Sequence, residues 1–508
     1  MKIYKKSKKL PVILLIVLIA ALVLAALASC QTDVGKSEVQ NKEDISEEQG
    51  KDDGETAEET TERLYPDIEA KDFGGHEFTF LGRTIVNVDW AEWDHRDLVA
   101  EELNGDVIND AVFMRNRKIE DKYNIAIAEI IDTDAKGKLT KAVKAGDDIY
   151  DIFCAHVNEF PDLSQNGNLI DIFSMPYLDL EKPWWDQGTI RDLTLIGRLF
   201  FVQGDVTILD NDSMEAMIFN KTLLQEAALE NPYELVKNGE WTFDKLIEMS
   251  RGVSKDLNGD GEMYIKDDRF GTIIQRDTTP SFIISGGEKI VGKDEDDYPV
   301  ITFYSERCVR ILDALSELIV DEENVVHLHR YEGKFGIYDE QVKMFEENRA
   351  LFSWIRMRIV ERLRGMEMDF GILPCPKLDT AQKNYYTQNN PHTGVGITIP
   401  VSASDLDRTG MILEDLCAES RYTLQPAYYE INLKGKYARD DDSSDMLDII
   451  LSNTAHDLGH VFNFADFAST IMMTGQNKKT DYASDFEKAE PKMQSAIDKM
   501  IDKYENLD

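Results

Sequence analysis

Two adjacent tryptophans, Trp184 and Trp185, have side chains suited to binding a hydroxylated ligand. A carbohydrate presents C–H faces that pack on aromatic rings, and its hydroxyls bond to planar polar groups such as those of Asp, Asn, Arg and His. Successive side chains of an extended segment point to opposite sides. We therefore expect one tryptophan to face a ligand while the other packs inside the protein. Burial of both in the core is the alternative.

Oxygen-bearing side chains recur between residues 256 and 267 with the spacing of a calcium-binding loop. The predicted ligands are Asp256, Asn258, Asp260, Glu262 and Asp267. Glycine stands at the sixth position, where such a loop turns sharply, and the last ligand is Asp instead of the usual Glu. We predict a structural Ca²⁺ that stabilises a surface loop, with a metal-free polar turn as the alternative. No other cofactor is predicted.

Motifs of the common enzyme classes are missing from the sequence. It has no Gly-x-Ser-x-Gly elbow, no phosphate-binding glycine loop and no dinucleotide fingerprint. His456 and His460 are four residues apart, but Asp457 stands where a zinc protease has its glutamate. We interpret this pair as a chance spacing, and His327 and His329 also lack an evident third metal ligand. The sequence therefore predicts no enzyme.

Acidic residues dominate the composition. The chain has 96 Asp and Glu against 56 Lys and Arg, a net charge of −40. This argues against a nucleic-acid partner, whose phosphates need clustered basic residues. Apart from Cys30, the cysteines are widely and irregularly spaced, so we expect buried thiols and no disulfide framework: Cys154, Cys308, Cys375 and Cys417.

The N-terminus has the order of a secretory signal. Lysines precede an apolar run from Leu10 to Ala28, and small residues precede Cys30. Leu27–Cys30 resembles the lipobox of bacterial lipoproteins, so residues 1–29 are predicted to be a signal peptide and Cys30 a lipid anchor. An uncleaved membrane helix is the alternative. Residues 30–72 are predicted to be a disordered acidic tether, since 31–63 hold 12 acidic and 4 basic residues and no aromatic one.

The elements that would position a site begin at His76. Strands are predicted over 76–81, 125–131 and 150–155, separated by helices over 105–123 and 136–145. This β-α-β-α-β order predicts parallel strands with crossover helices. Ligands of such sheets bind at the carboxyl ends of the strands. Arg83 and His156, which follow two of these strands, are therefore candidate site residues, as is Trp90 in the polar loop after the first strand.

A second set of elements follows a buried run that ends at Gly204-Asp205. This run predicts a crossing between lobes, and it makes Asp205 and Asp210 candidate site residues. Further strands are predicted over 214–219, 350–355, 369–373 and 394–399, and Thr242 is a predicted helix N-cap. From Asp405 to the end the chain is predicted to be mostly helical.

Six stretches in this order resemble the extracellular solute-binding proteins of ABC sugar importers, the maltose-binding-protein-like family 1: Asp72–Arg83, Pro183–Asp186, Gly197–Lys221, Trp241–Leu246, Ala350–Trp354 and Asp369–Leu378. The resemblance implies an α/β protein with a two-lobed periplasmic-binding-protein-like type II fold, hinge strands and a C-terminal helical region. It implies a first lobe of 73–202 plus 356–430 and a second of 203–355 plus 431–508. Trp354 matches the place where the family has an aromatic platform.

The same resemblance implies a function. The protein would be a monomer, anchored to the outer face of the cell membrane, that captures a carbohydrate between its lobes and delivers it to the permease subunits of an ABC transporter. A secreted lipid-anchored glycoside hydrolase is one alternative, because carboxyl pairs are abundant. A binding protein for another solute, such as a peptide, is the second.

Overall fold

The computed structural model describes residues 63–84, 95–363, 369–429 and 441–507. The predicted signal peptide 1–29, Cys30, Trp90 and most of the predicted tether lie outside these ranges. No helix within them is long and apolar enough to cross a membrane.

The compact unit begins at Arg63, inside the predicted tether of 30–72. The backbone N–H of Leu64 donates to the Tyr422 hydroxyl at 2.8 Å, and the Tyr65 and Tyr422 rings are 5.2 Å apart. Residues 63–72 have no regular secondary structure, but these contacts hold their start against the folded part. The folded part of the chain therefore begins earlier than the sequence predicts.

The strands of the described residues are short, and most are buried. In chain order they are β1 His76–Arg83, β2 Ile125–Asp132, β3 Ile152–His156, β4 Glu215–Asn220, β5 Phe270–Ile274, β6 Val291–Lys293, β7 Pro299–Ile301, β8 Val325–His327, β9 Ala350–Arg356, β10 Phe370–Leu373, β11 Thr387–Gln388, β12 Val395–Thr398 and β13 Thr454–Ala455.

The helices cover the sheets and fill the C-terminal region. They are α1 Val107–Tyr123, α2 Ala135–Ala145, α3 Phe160–Gln165, α4 Gln187–Leu193, α5 Leu209–Asp212, α6 Lys221–Glu226, α7 Pro232–Lys237, α8 Phe243–Arg251, α9 Thr278–Ser285, α10 Glu306–Val320, α11 Ile337–Glu346, α12 Arg358–Arg362, α13 Leu406–Tyr422, α14 Leu424–Tyr429, α15 Asp441–Ser452, α16 Leu458–Val461, α17 Phe467–Gln476 and α18 Tyr482–Glu505.

The first sheet has the order β12-β3-β1-β2. β1 pairs in parallel with β2 and β3, whereas β12 pairs antiparallel with β3. β3 is buried along its whole length because it lies inside the sheet, where both faces are covered. The predicted β-α-β-α-β order of the first half is confirmed.

The second sheet has the order β10-β4-β9-β5-β8. β4 is antiparallel to β9 and β10, and β5 is parallel to β8 and β9. Two details differ from the predicted lobes. β10 belongs to this sheet although it falls in the 356–430 segment assigned to the first lobe. The end of α18, assigned to the second lobe, bonds through Tyr504 to Ser164 at 2.7 Å.

Local sequence explains where several helices begin. Thr242, the predicted N-cap, accepts from the Lys245 N–H at 3.3 Å at the start of α8. Asn220 caps α6 in the same way. Four cysteines are buried and unpaired, which confirms the predicted thiols: Cys154, Cys308, Cys375 and Cys417.

Candidate ligand-binding cleft

The carboxyl ends of strands from both sheets meet at one polar region, which we call the cleft. The first sheet contributes the ends of β1 and β3, and the second contributes Glu215 and the end of β9. The chain between β11 and β12 connects them. The Asn158 N–H donates to the Pro391 carbonyl at 3.0 Å, and Asn390 Nδ2 donates to Glu215 Oε1 at 3.1 Å. The cleft therefore lies where an α/β fold normally binds its ligand.

Arg83 and His156, predicted from topology, are brought together at the end of the first sheet. Arg83 Nη1 donates to His156 Nδ1, and Arg83 Nε is 2.9 Å from Glu159 Oε1. Burial, followed by the nearby Arg83 guanidinium, lowers the pKa of His156 well below its usual value. His156 is therefore neutral, with Nδ1 as its acceptor.

A buried ion cluster forms the second-sheet side of the cleft. Arg356 Nη2 is 2.5 Å from Asp277 Oδ2, and Arg356 Nε is 3.4 Å from Glu215 Oε1. Burial opposes ionisation of Asp277, but the attraction of Arg356 and of nearby histidines outweighs it and lowers the pKa of this carboxyl. Burial raises the pKa of Glu215 to about 7, because Arg356 offsets only part of the cost. One guanidinium thus holds two carboxyl groups in fixed positions.

A cavity of about 290 Å³ opens between the residues that follow β3 and the residues of α16. Asn158 Nδ2 donates to His392 Nδ1 at 2.8 Å, while Asn158 Oδ1 is buried and has no hydrogen-bond partner among the described residues. Gln388 Nε2 donates to His460 Nδ1 at 2.7 Å, and burial lowers the pKa of His460 to about 3. The proton of the neutral ring is therefore on Nε2, which likewise has no partner in the described structure.

Asn158 and His460 both line this cavity, and each keeps one buried polar atom, an acceptor and a donor, without a hydrogen-bond partner among the described residues. Buried polar atoms are seldom left unpaired in native proteins, so a small rearrangement that turns them towards a polar ligand would satisfy both. Sequence reasoning missed both residues. The only signals were that Asn158 closely follows a predicted strand and that His460 belongs to the pair interpreted as a chance spacing. His456 does not line this cavity, and its Nε2 is 3.1 Å from Thr189 Oγ1.

The predicted aromatic platforms lie in the core. Trp184, Trp185 and Trp354 are at most 2% exposed, and neither of the first two lines the cavity of the cleft. Trp185 instead presents an edge to a second cavity, while Trp184 packs inside the protein. Trp354 is also misplaced as a platform. It lies before the end of β9, on a face covered by α9, where its ring stacks on Phe282 at 5.4 Å. Arg356, at the end of the strand, occupies the cleft instead.

Asp205 and Asp210 do not reach the cleft. Together with the edge of Trp185 they line a separate cavity of about 840 Å³. Burial raises the pKa of Asp205 to about 7 and also raises that of Asp210. Of the eight predicted residues, Arg83 and His156 lie at the cleft, and Trp184 and Trp354 lie in the core. Trp185, Asp205 and Asp210 line the second cavity, and Trp90 lies outside the described residues.

The predicted calcium loop uses its carboxylates internally. Asp256 accepts from the N–H groups of Gly259 at 2.6 Å and Gly261 at 2.8 Å, and Asp260 accepts from that of Glu262 at 2.8 Å. Among the described residues, no group of three or more His, Cys, Asp or Glu side chains is arranged to hold a metal ion. The polar-turn alternative therefore describes this loop better than the predicted set of Asp256, Asn258, Asp260, Glu262 and Asp267.

Comparison with solved structures finds the same architecture in two binding proteins and in UspC. An ABC substrate-binding protein of Listeria monocytogenes in complex with cycloalternan has a TM-score of 0.51 at 13% identity, over 84% of this chain and 98% of its own. UspC of M. tuberculosis gives 0.54 at 13% identity, over 82% and 100%. A cyclo/maltodextrin-binding protein complexed with maltotetraose gives 0.52 at 12% identity, over 85% and 98%.

Neither a protein-family model nor a curated protein sequence matches the chain. The structural likeness extends over more than four-fifths of the chain and nearly all of each neighbour. The chain therefore has the two-lobed α/β fold of these binding proteins, the periplasmic-binding-protein-like type II fold.

Proposed function

We propose that this protein is an extracellular solute-binding protein that captures a carbohydrate in the cleft. The observation that carries the proposal is that Asn158 and His460 line one cavity and that each has a buried atom, Oδ1 and Nε2, without a hydrogen-bond partner among the described residues. A sugar hydroxyl both donates and accepts a hydrogen bond, so it complements such a pair. Solved neighbours of this fold hold cycloalternan and maltotetraose, which supports the same ligand class here.

The charges around the cleft favour a neutral ligand. Arg83 is paired with Glu159, and Arg356 is paired with Asp277 and Glu215. The buried histidines His156 and His460 have lowered pKa values, through burial first of all, and stay neutral. The guanidinium groups of Arg83 and Arg356 are already neutralised by these carboxyl groups, so they offer a poor site for the charged ends of a peptide. This favours sugar over the peptide alternative.

The wider role of the protein forms part of the proposal. Leu27–Cys30 resembles a lipobox, so Cys30 would hold the chain on the outer face of the cell membrane, and the acidic segment after it would act as a tether. A monomer held in this way would deliver its sugar to the permease subunits of an ABC transporter. Replacing Cys30 with Ala is expected to release the protein from the membrane without changing its ligand affinity. Loss of affinity would contradict the role of a simple anchor.

The test is a binding screen on the purified protein. We expect an oligosaccharide from a panel that includes maltotetraose to raise the melting temperature, as any ligand specific for the folded state does. N158A and H460A should each weaken binding by about tenfold, the equivalent of one hydrogen bond of roughly 1.4 kcal/mol. Q494A, on the exposed part of α18, is the matched control and should bind normally.

Three outcomes would overturn the proposal. Release of shorter sugars from the panel would establish the glycoside hydrolase alternative. A melting shift with peptides and none with sugars would establish the peptide alternative. Sugar binding that both N158A and H460A leave unchanged would place the site away from this cavity.

A further inference from the structure

A second cavity, of about 840 Å³, lies on the other side of the segments that cross between the sheets. Asn389 lines it, whereas the next residue, Asn390, bonds to Glu215 in the cleft. Asn389 Nδ2 donates to the Asp210 carbonyl at 3.0 Å, and its Oδ1 accepts from Ser213 Oγ at 2.9 Å. Successive side chains thus point to opposite sides of one segment, so the two cavities are separate sites.

Four aspartates line this second cavity, together with Arg191 and Arg421: Asp186, Asp205, Asp210 and Asp448. Asp186 is held by the hydroxyl of Thr189 at 2.6 Å, and Asp205 by Arg421 at 3.3 Å. Asp210 is 93% buried and lines the cavity, yet within the described parts of the chain its carboxylate accepts only from the Asn211 N–H, at 2.8 Å. No cation pairs with Asp210 among the described residues. A buried carboxylate without a cation is costly, unless it is protonated or a ligand supplies the charge.

Aromatic side chains complete the wall. Tyr422 and Tyr429 both line the cavity, on α13 and α14, and tyrosine rings attract organic cations placed over their faces. The cavity is too wide for a bare metal ion held by these groups, and no metal-ligand cluster occurs among the described residues. Its volume falls in the range of sites for small organic molecules.

We propose that this second cavity binds an organic amine in its protonated form, with Asp210 as the main ionic partner. The amine would donate to the Asp210 and Asp205 carboxylates, and its alkyl part would lie against Tyr429, since the Tyr422 ring already contacts Tyr65 and Arg63. Polyamines and amino sugars share this chemistry. Binding of the cation draws both carboxyl groups into their charged forms. Their pKa values are raised by burial in the free protein, so binding releases protons.

Elements that pack around each of the two sheets contribute to this wall. We call the elements around the first sheet and those around the second sheet the two halves of the protein. α13 and α14 pack on α1 beside the first sheet, while α15, which contributes Asp448 and Ser452, packs on β10 of the second.

The test is calorimetric titration of the purified protein with spermidine and, separately, with glucosamine, in two buffers of different ionisation enthalpy. We expect at least one amine to bind with Kd below about 1 mM and to release protons near pH 7. D210N should weaken binding at least tenfold. It should fold normally, because Asn has the same shape and the carboxyl already favours its neutral form. The two titrants distinguish the two sources of amine.

The control must exclude unspecific attraction to a chain of net charge −40. D244N removes one exposed carboxylate in the first turn of α8, far from the cavity in sequence, and should bind the amine normally. The proposal is overturned if neither amine binds, if D210N and D244N bind equally, or if binding releases no protons. D448N offers a second variant at the exposed part of the wall and should weaken binding by a smaller factor.

Discussion

Trp185 Nε1 donates to Glu414 Oε2 at 3.0 Å, and both side chains are buried. This bond links the Trp184-Trp185 segment to α13. Burial raises the pKa of Glu414 to about 7, although the bond from Trp185 favours the charged form. The indole that the sequence suggested for a sugar thus holds a carboxyl group that titrates near neutral pH.

Replacing Glu414 with Gln removes this titration and keeps an oxygen that can accept from Trp185. The unfolded carboxyl has a pKa near 4.3, so between about pH 4 and 7 the folded state holds the extra proton. Stability from this group is therefore complete at low pH and lost as pH rises through 7. We expect the wild type to lose about 2 kcal/mol relative to E414Q between pH 5 and 8. Urea unfolding of both proteins across this pH range measures the difference between their unfolding free energies. A difference that does not change with pH would contradict the raised pKa of Glu414.

Replacing Trp354 with Ala tests its place in the core. Its ring stacks on Phe282 and is fully buried, so the change leaves a large void and should cost about 3 to 5 kcal/mol of unfolding free energy. Trp354→Phe should cost less, because an aromatic ring remains. The folded fraction of each variant should keep its ligand affinity. A tenfold loss of affinity with unchanged stability would instead restore the predicted platform.

Trp354 shows why the site was harder to predict than the fold. The β-α-β-α-β order up to His156 follows from local periodicity, so its strands are predicted within a few residues. The sequence did not predict β5, because its five residues are all buried and show no alternation of polar and apolar side chains after the polar turn. The exposure of Trp354 depends on α9, a helix some 70 residues away in sequence. Such packing is a tertiary property that no local pattern records.

The ion cluster of the cleft escaped prediction for a related reason. Arg356, Asp277, Glu215 and Asn390 come from four separate segments, and in an acidic chain no single carboxylate stands out. Arg83 and His156 were found because each directly follows a predicted strand of one sheet. Glu215 and Arg356 are opposite each other where β4 pairs with β9, and strand pairing of this kind between segments so far apart in sequence leaves no local signal.

Replacing Arg356 with Met should strongly destabilise the protein. The change removes the cation from two buried carboxyl groups, and breaking a buried pair from one side costs about 3 to 5 kcal/mol. Arg310→Met is the matched control. Arg310 is 55% exposed and 2.7 Å from Asp379, so its loss should cost less than about 1 kcal/mol. Chemical unfolding of both variants checks this, and equal losses would mean that the buried cluster is not built as described.

Arg96 and Glu361 join the two halves across the crossing segments. Arg96 follows β1 of the first sheet, and its Nη1 is 2.9 Å from Oε1 of Glu361 in α12, which follows β9 of the second. The ion pair therefore favours the arrangement in which the ends of both sheets meet. Because only that arrangement completes the cleft, any loss of its population raises the apparent Kd in proportion.

Glu361→Gln is expected to weaken sugar binding by about two- to fivefold and to increase the radius of gyration of the free protein in small-angle X-ray scattering. Glu317→Gln is the control, since Glu317 and its partner Arg251, 2.9 Å apart, lie on two helices of the same half. It removes an ion pair of the same length, though a more exposed one, without touching the contact between the halves. The contrary result is that E361Q binds sugar as tightly as E317Q and has the same radius of gyration. In that case the Arg96–Glu361 pair contributes nothing to closure, and the crossing segments alone set the position of the two halves.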